Sequence, residues 1–578
     1  MTHPYRLLLN QRVVMRDGVE LSTDVWLPPA RAGAGGPAPS GERFPALLIR
    51  NIYNNADRRY LSWMKPFVAA GYAVVAQDCR GRHDSDGTWD PYICEVTDGY
   101  DTVEWVGTQP WCDGQVATFG VSYPGFTQTV SATLRNSHLK ALVPIASQQD
   151  NWGHHRVSGA IHWSVSLFFA TLIGRTMQTE PVALLDQEAL LRHLPLVTAV
   201  EANVGPSDYY RGVIEHDRYD EWWSRYSLRH RYGDVDVPAY FMTGWYDSLL
   251  RETLAVFAGW KGQARSAEAR RLTRILVGPW SHQIAPWGRE PLGPNGEFEA
   301  VAFGPQAVGD NIGEHLRWYD ARLKGRNTGI DSQPSVRLFV MGRNAWRDEH
   351  EWPIARTQWT DAYLASGGSA NTAEGDGRLV FDAPPRLDAG GTSLDEFAYD
   401  PGDPVRSWGA QYQSADLGGP RDRRAVEGRP DVLVYTSDVL AADIEVTGPI
   451  AVELWAATDA ADTDWTAALV DVFPDGRAII LCEGICRARY RDEMAAPVLV
   501  PPNTPTAFRI DLWATSNAFL AGHRIRLEIS SSNFPRFDRN LNTGGRVGFE
   551  TEWRVAHQTV FHDEARPSRL ILPVIPSP

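Results

Sequence analysis

Six short apolar runs dictate most of what this chain can become: FPALLIRN (44–51), YAVVAQD (72–78), QVATFGV (115–121), LKALVPIAS (139–147), PAYFMTG (238–244) and LTRILVGP (272–279). A strand with one wet face alternates apolar and polar residues. A run that stays apolar on both parities needs cover on both faces. Between the first two runs lies DRRYLSWMKPFVAAG, with helical apolar spacing and a glycine stop. Strand, helix, strand in that order predicts a parallel, doubly wound α/β sheet.

Other stretches break that alternation. NQRVVMRDGVELSTDVWLP (10–28) alternates on either side of Asp17-Gly18, a hairpin turn pair. RAGAGGPAPSG (31–41) reads as a solvated connector. Residues 151–232 are rich in His, Trp and Leu at helical spacing, as in PVALLDQEALLRHLPLV, and predict a helical cap inserted between sheet strands. From SVRLFVMG (335–342) onward, apolar–polar alternation with turn residues predicts an all-β sandwich, with residues 365–393 as surface loop. At 578 residues the chain exceeds one core. The expected division is an α/β domain (1–150 and 233–333), a cap (151–232) and a β-sandwich (334–578).

The chemistry gathers at strand ends. FGVSYPG (119–125) places Ser122 after an apolar strand and before a helix-forming stretch, the context of a nucleophile elbow. The usual G-x-S-x-G is altered, since Pro124 stands where the second glycine belongs. Proline is tolerated in a helix's first turn, and the N–H an oxyanion hole needs is that of Tyr123. GWYD puts Asp247, and GPWSH puts His282, just past two later strands, in the order Ser, Asp, His. Tyr53, in the loop RNIYNNADRR, is a candidate second oxyanion donor through its phenol hydroxyl.

These segments, together with QDCRGRHDSDG (77–87) and TDWTAALVDVFPDG (463–476), resemble the family that contains cocaine esterase, α-amino-acid ester hydrolases, glutaryl acylases and X-prolyl dipeptidyl peptidases. The resemblance implies an α/β-hydrolase core with an inserted helical cap and a C-terminal jelly roll. It also implies a Ser122–His282–Asp247 triad, and an oxyanion hole made by Tyr53 and the Tyr123 N–H. The α-amino-acid ester hydrolases carry acidic residues just after the triad aspartate, where this chain has Ser248, Leu249 and Leu250. An α-ammonium specificity is therefore disfavoured, though Asp150 or Glu252 could substitute. The expected activity is acyl-enzyme cleavage of carboxylic esters with hydrophobic or aromatic acyl groups. Trp152, Trp163, Phe169 and Leu249 are the candidate acyl-pocket residues. Amidase, acylase or X-prolyl peptidase activity is the alternative, and an inactive binding protein is the alternative of another class.

A net charge of -15 argues against nucleic acid and anionic membranes as partners. No apolar run reaches the ~20 residues of a membrane helix, and the N-terminal segment carries no signal-peptide pattern. Five scattered cysteines give no disulfide framework and point to a cytoplasmic setting. DSDGTWDPYICE (84–95) imitates a calcium loop but has Trp89 where glycine is required, so it reads as a structural loop. Neighbouring His154 and His155 point in different directions on a helix and predict no metal site. No cofactor or metal is expected; the expected partner is a small ester or amide, and a homodimer is the assembly to test.

Overall fold

The computed structural model describes residues 5–29, 42–225, 227–288, 290–381, 393–413 and 416–576. The connector at 31–41 lies outside the described residues. Strands β1 (Arg6–Val14) and β2 (Glu20–Leu27) form the hairpin about Asp17-Gly18. The six apolar runs become β3 (Phe44–Asn51), β4 (Ala73–Asp78), β5 (Cys112–Val121), β6 (Leu139–Ile145), β7 (Tyr240–Tyr246) and β8 (Arg274–Ser281). With β9 (Val336–Val340) and β10 (Ala345–Glu349) they build one sheet of ten strands, in the order β1-β2-β4-β3-β5-β6-β7-β8-β9-β10. Pairing is parallel from β4 through β9. Every residue of β3, β4, β7 and β8 is buried, as unbroken apolar runs require.

One expectation needs correction. SVRLFVMG was assigned to the sandwich, but its residues form β9, which pairs in parallel with β8 and turns back as a hairpin with β10. The core sheet therefore continues past residue 334. An edge hairpin of the core and a sandwich strand share the same alternation, so the pattern alone does not separate them.

The second sheet has eleven strands, between Gln358 and Ile575. Its longest pair, Ile444–Thr458 with Thr506–Phe519, is antiparallel and alternates at its open ends. Within the presumed loop at 365–393, Arg378–Val380 is a strand of this sheet, and residues 382–392 lie outside the described residues. The two sheets touch where the Met341 backbone pairs with Ser516 and Ala518. Helices α1 (Arg58–Ala69), α2 (Glu95–Thr108) and α3 (Tyr123–Ser131) pack on the core sheet, and residues 151–232 form short helices, including α4 (Asn151–His155) and α5 (Trp163–Ala170), around their own apolar cluster. The architecture is an α/β-hydrolase core with a helical cap and a C-terminal β domain. Among the described residues no helix is long and apolar enough to cross a membrane.

Candidate active site

Ser122 joins β5 to helix α3 (Tyr123–Ser131) with φ 67° and ψ -123°, a region that costs a non-glycine residue strain. Neighbours hold the turn in place. The Ser122 N–H donates to the Ile145 carbonyl on β6 at 2.9 Å. Gly120, at φ 142°, makes room for Pro124: a Cβ there would lie 2.4 Å from the proline Cβ. Gly125 passes the Ile145 carbonyl so closely that a Cβ would approach its oxygen to 2.8 Å. Two glycines thus accommodate the altered motif, one against Pro124 and one against β6. Ser122 itself remains partly exposed.

Asp247 and His282 follow β7 and β8, adjacent parallel strands, and so emerge side by side. His282 Nδ1 lies 3.1 Å from Asp247 Oδ1 and 3.3 Å from Oδ2. An ionised carboxylate only accepts, so Nδ1 carries the hydrogen and Nε2 keeps its lone pair. The Leu249 N–H, donating at 2.7 Å, fixes the carboxylate further. Asp247 is fully buried and His282 nearly so. Among the described contacts no hydrogen bond joins Ser122 to His282; such contacts often tighten only with substrate bound.

The Tyr53 hydroxyl faces the Ser122 side chain and the Tyr123 backbone N–H. Burial pushes its phenol pKa up, so the hydroxyl stays protonated and able to donate. The motif residues around it hold its loop: Asn51 Oδ1 accepts the Tyr53 N–H at 2.8 Å, and Asp78 Oδ1 accepts the Asn55 N–H at 2.7 Å. Tyr123 is pinned from behind, its hydroxyl donating to Glu95 at 3.0 Å. Glu95 in turn pairs with Arg50 at 2.9 Å, both side chains 3% exposed. Glu95 was the last position of the calcium-like stretch, and it turns inward as structure. Sequence reasoning missed this Arg50–Glu95–Tyr123 support, which anchors the Tyr123 side chain.

The acyl-pocket candidates divide. Phe169 lines a cavity of about 730 Å³ between core and cap, with Trp89, Tyr209 and Trp222, though neither Ser122 nor His282 lines it. Trp152 and Trp163 do not line it. They are sealed in the cap's own core, Trp152 edge-on to Trp223 and Trp163 donating to the Leu191 carbonyl at 3.2 Å. Leu249 is 1% exposed and packs into the main core. A buried aromatic at helical spacing looks the same in sequence whether it fills a core or faces a ligand. Sequence reasoning also read His154 only as a non-ligand. It is buried beside Phe169, near enough to His282 for their charges to interact. Among the described residues no group of His, Cys, Asp and Glu could hold a metal ion.

A strained serine turn, a buried Asp–His pair and a tyrosine facing the serine thus stand together on a ten-stranded α/β sheet that a β domain follows in the chain. Residues 17–284 match the X-Pro dipeptidyl-peptidase (S15 family) model, and residues 328–571 match the X-Pro dipeptidyl-peptidase C-terminal non-catalytic domain. The chain is 37% identical to cocaine esterase of Rhodococcus sp. (strain MB1 Bresler) over 99% of both chains. It belongs to this family of hydrolases. Among solved structures, an aminopeptidase from the marine sediment archaeon Thaumarchaeota archaeon superposes with TM-score 0.82 and 25% identity, over 99% of this chain and 97% of that one. An α-amino acid ester hydrolase shares the fold with TM-score 0.82 and 24% identity, over the same shares of the two chains.

Proposed function

We propose that the protein is a serine esterase that forms an acyl-enzyme at Ser122. The observation that carries this reading is the strained Ser122 turn with the Tyr53 hydroxyl facing it. In the proposed reaction His282 Nε2 takes the Ser122 proton as the oxygen attacks the ester carbonyl. Asp247 stabilises the imidazolium that forms. The Tyr53 hydroxyl and the Tyr123 N–H donate to the carbonyl oxygen as it gains charge. His282 then protonates the leaving alcohol, and a water it activates releases the acid. The likeness to cocaine esterase supports an ester as the substrate.

Amide cleavage needs the same groups, and the S15 match favours it as a second reading. An X-prolyl or α-amino substrate, however, must have its ammonium anchored. The two candidate carboxylates are already engaged: Asp150 with Arg229 and the Gly153 N–H, Glu252 with Arg251 and the Gln149 N–H. A carboxylate paired with a guanidinium offers little to a second cation, so uncharged hydrophobic or aromatic acyl groups fit best. The test is a fluorophosphonate probe followed by peptide mapping. Labelling at Ser122 supports the proposal, and a folded protein left unlabelled overturns it.

A further inference from the structure

We propose that His154 is a specificity-determining residue that donates a hydrogen bond from Nε2 to an acceptor oxygen in the acyl group of the substrate. The proposal rests on Ser122 being the nucleophile, and it deepens that reading by naming a substrate class. Helix α4, which carries His154, begins six residues past the end of β6, on the side of the sheet where Ser122 also leaves its strand. Asp150 caps it, accepting the Gly153 N–H at 2.8 Å, and Arg251 ties the Gly153 carbonyl to the helix that follows Asp247 at 3.0 Å. The ring is held between His155 and Phe169, with centroids 5.1 and 6.2 Å away. Its backbone carbonyl faces His162 Nδ1 at 3.2 Å, so the backbone is fixed as well.

His154 is 7% exposed, and its Nδ1 is sealed off without a hydrogen-bond partner. A buried N–H without a partner is rarer in folded proteins than a buried acceptor without one. That places the single ring hydrogen of the neutral imidazole on Nε2, the nitrogen not sealed away. Burial, with the nearby His282 adding to it, pushes the pKa of His154 down to about 3, so the ring carries no charge at working pH. A neutral N–H beside the Phe169 ring, on the helix that follows β6 and close enough to His282 for charges on the two rings to interact, complements an acyl group that is mainly apolar but has one acceptor oxygen. A buried donor left unpaired is penalised, so an acyl group lacking that oxygen is discriminated against.

The test compares p-nitrophenyl phenoxyacetate with p-nitrophenyl 3-phenylpropionate, which exchange an ether oxygen for a methylene. The quantity read is the ratio of their kcat/KM values in wild type, His154→Leu and His154→Gln. Taking ratios across variants cancels the intrinsic reactivity of the two esters. The ratio is expected to fall about 5-fold in His154→Leu, the scale of one neutral hydrogen bond. It should recover to within about twofold in His154→Gln, whose amide nitrogen reaches the position of Nε2. An unchanged ratio in His154→Leu overturns the proposal. An equal fall in both variants also overturns it, because that marks a packing role. Fluorophosphonate labelling of Ser122 in all three proteins separates the two levels: a wild type left unlabelled removes the serine reading, and this proposal with it.

Discussion

Asp247 and His282 face each other across the ends of adjacent parallel strands, Oδ1 3.1 Å from Nδ1, at the core of the hydrolase fold. The pairing register brings this about: Gly244 lies opposite Gly278 and Tyr246 opposite Ser281, so the next residues leave the sheet together. Asp247→Asn keeps the shape but can place a donor where only an acceptor suits, which favours the wrong imidazole tautomer. We expect kcat on a p-nitrophenyl ester to fall roughly 10³–10⁴-fold with an unchanged melting temperature. A loss below tenfold would exclude Asp247 as the partner of His282.

In the proposed reaction Tyr53 offers a hydroxyl where a backbone amide is the commoner oxyanion donor. Tyr53→Phe removes only that oxygen, and Arg59, 5.4 Å from the ring centroid, keeps its ring contact. The expected result is a drop in kcat of roughly 10²–10³-fold, with KM changing far less. Because burial raises the phenol pKa above its ordinary value, loss of activity through Tyr53 ionisation should begin at a higher pH than a free tyrosine would give. Pre-steady-state rates between pH 7 and 10 would reveal a fall if the phenol ionised there.

These groups were legible because each directly follows an apolar strand, and a parallel sheet delivers strand ends to one edge. The acyl pocket was not. Trp152 and Trp163 have the spacing of pocket residues and fill the cap core instead, whereas Phe169, six residues past Trp163, reaches a cavity between core and cap that Ser122 and His282 do not line. Which side of a short helix faces its own cluster depends on neighbours such as Tyr490 and Phe534, more than three hundred residues away. Glu95 was illegible for a related reason, since it opens the helix Glu95–Thr108 while its partner Arg50 lies on β3.

The carboxylates at Asp150 and Glu252 predict selectivity against cations. p-Nitrophenyl phenylacetate should be cleaved with a kcat/KM at least about tenfold above that of its α-amino analogue, one decade being about 1.4 kcal/mol. Arg251→Gln frees Glu252 from its guanidinium partner and should narrow that gap. An unmodified enzyme that prefers the α-amino ester would mean that an anchor exists elsewhere.

Acid should loosen the cap through its histidines. His154 titrates near 3 in the folded protein, against an ordinary value of 6.5, and burial lowers His155 and His162 as well. Above pH 6.5 these rings are neutral in both states and stability does not depend on them. As pH falls from 6.5 toward 3, the unfolded chain binds protons that the folded chain refuses, so stability drops. Calorimetry at pH 5.5 in buffers of different ionisation enthalpy should show proton uptake on unfolding, and His162→Phe should reduce it by about one proton. An equal uptake in the variant would mean that His162 already titrates normally in the folded protein.

The altered serine turn makes the last prediction. Pro124 is accommodated because Gly120 faces it, and Gly125 then carries the close approach of helix α3 to β6. In Gly125→Ala the new methyl would stand 2.8 Å from the Ile145 carbonyl oxygen and 3.3 Å from Ser147 Cβ. Both neighbours are buried in packed backbone, so α3 must move away from β6 and take the Tyr123 N–H with it. Overpacking of this kind costs about 1–3 kcal/mol. Displacing an oxyanion donor by a fraction of an ångström should lower kcat by roughly tenfold or more. Gly262→Ala is the control: nothing lies within 4 Å of its Cβ position near the end of the helix Leu250–Gln263. There the methyl should raise stability by about 0.4–1 kcal/mol and leave kcat unchanged. Urea unfolding and kcat measured on both variants decide the matter: if Gly125→Ala behaves like Gly262→Ala, the shifted glycine is not what lets this serine turn tolerate its proline.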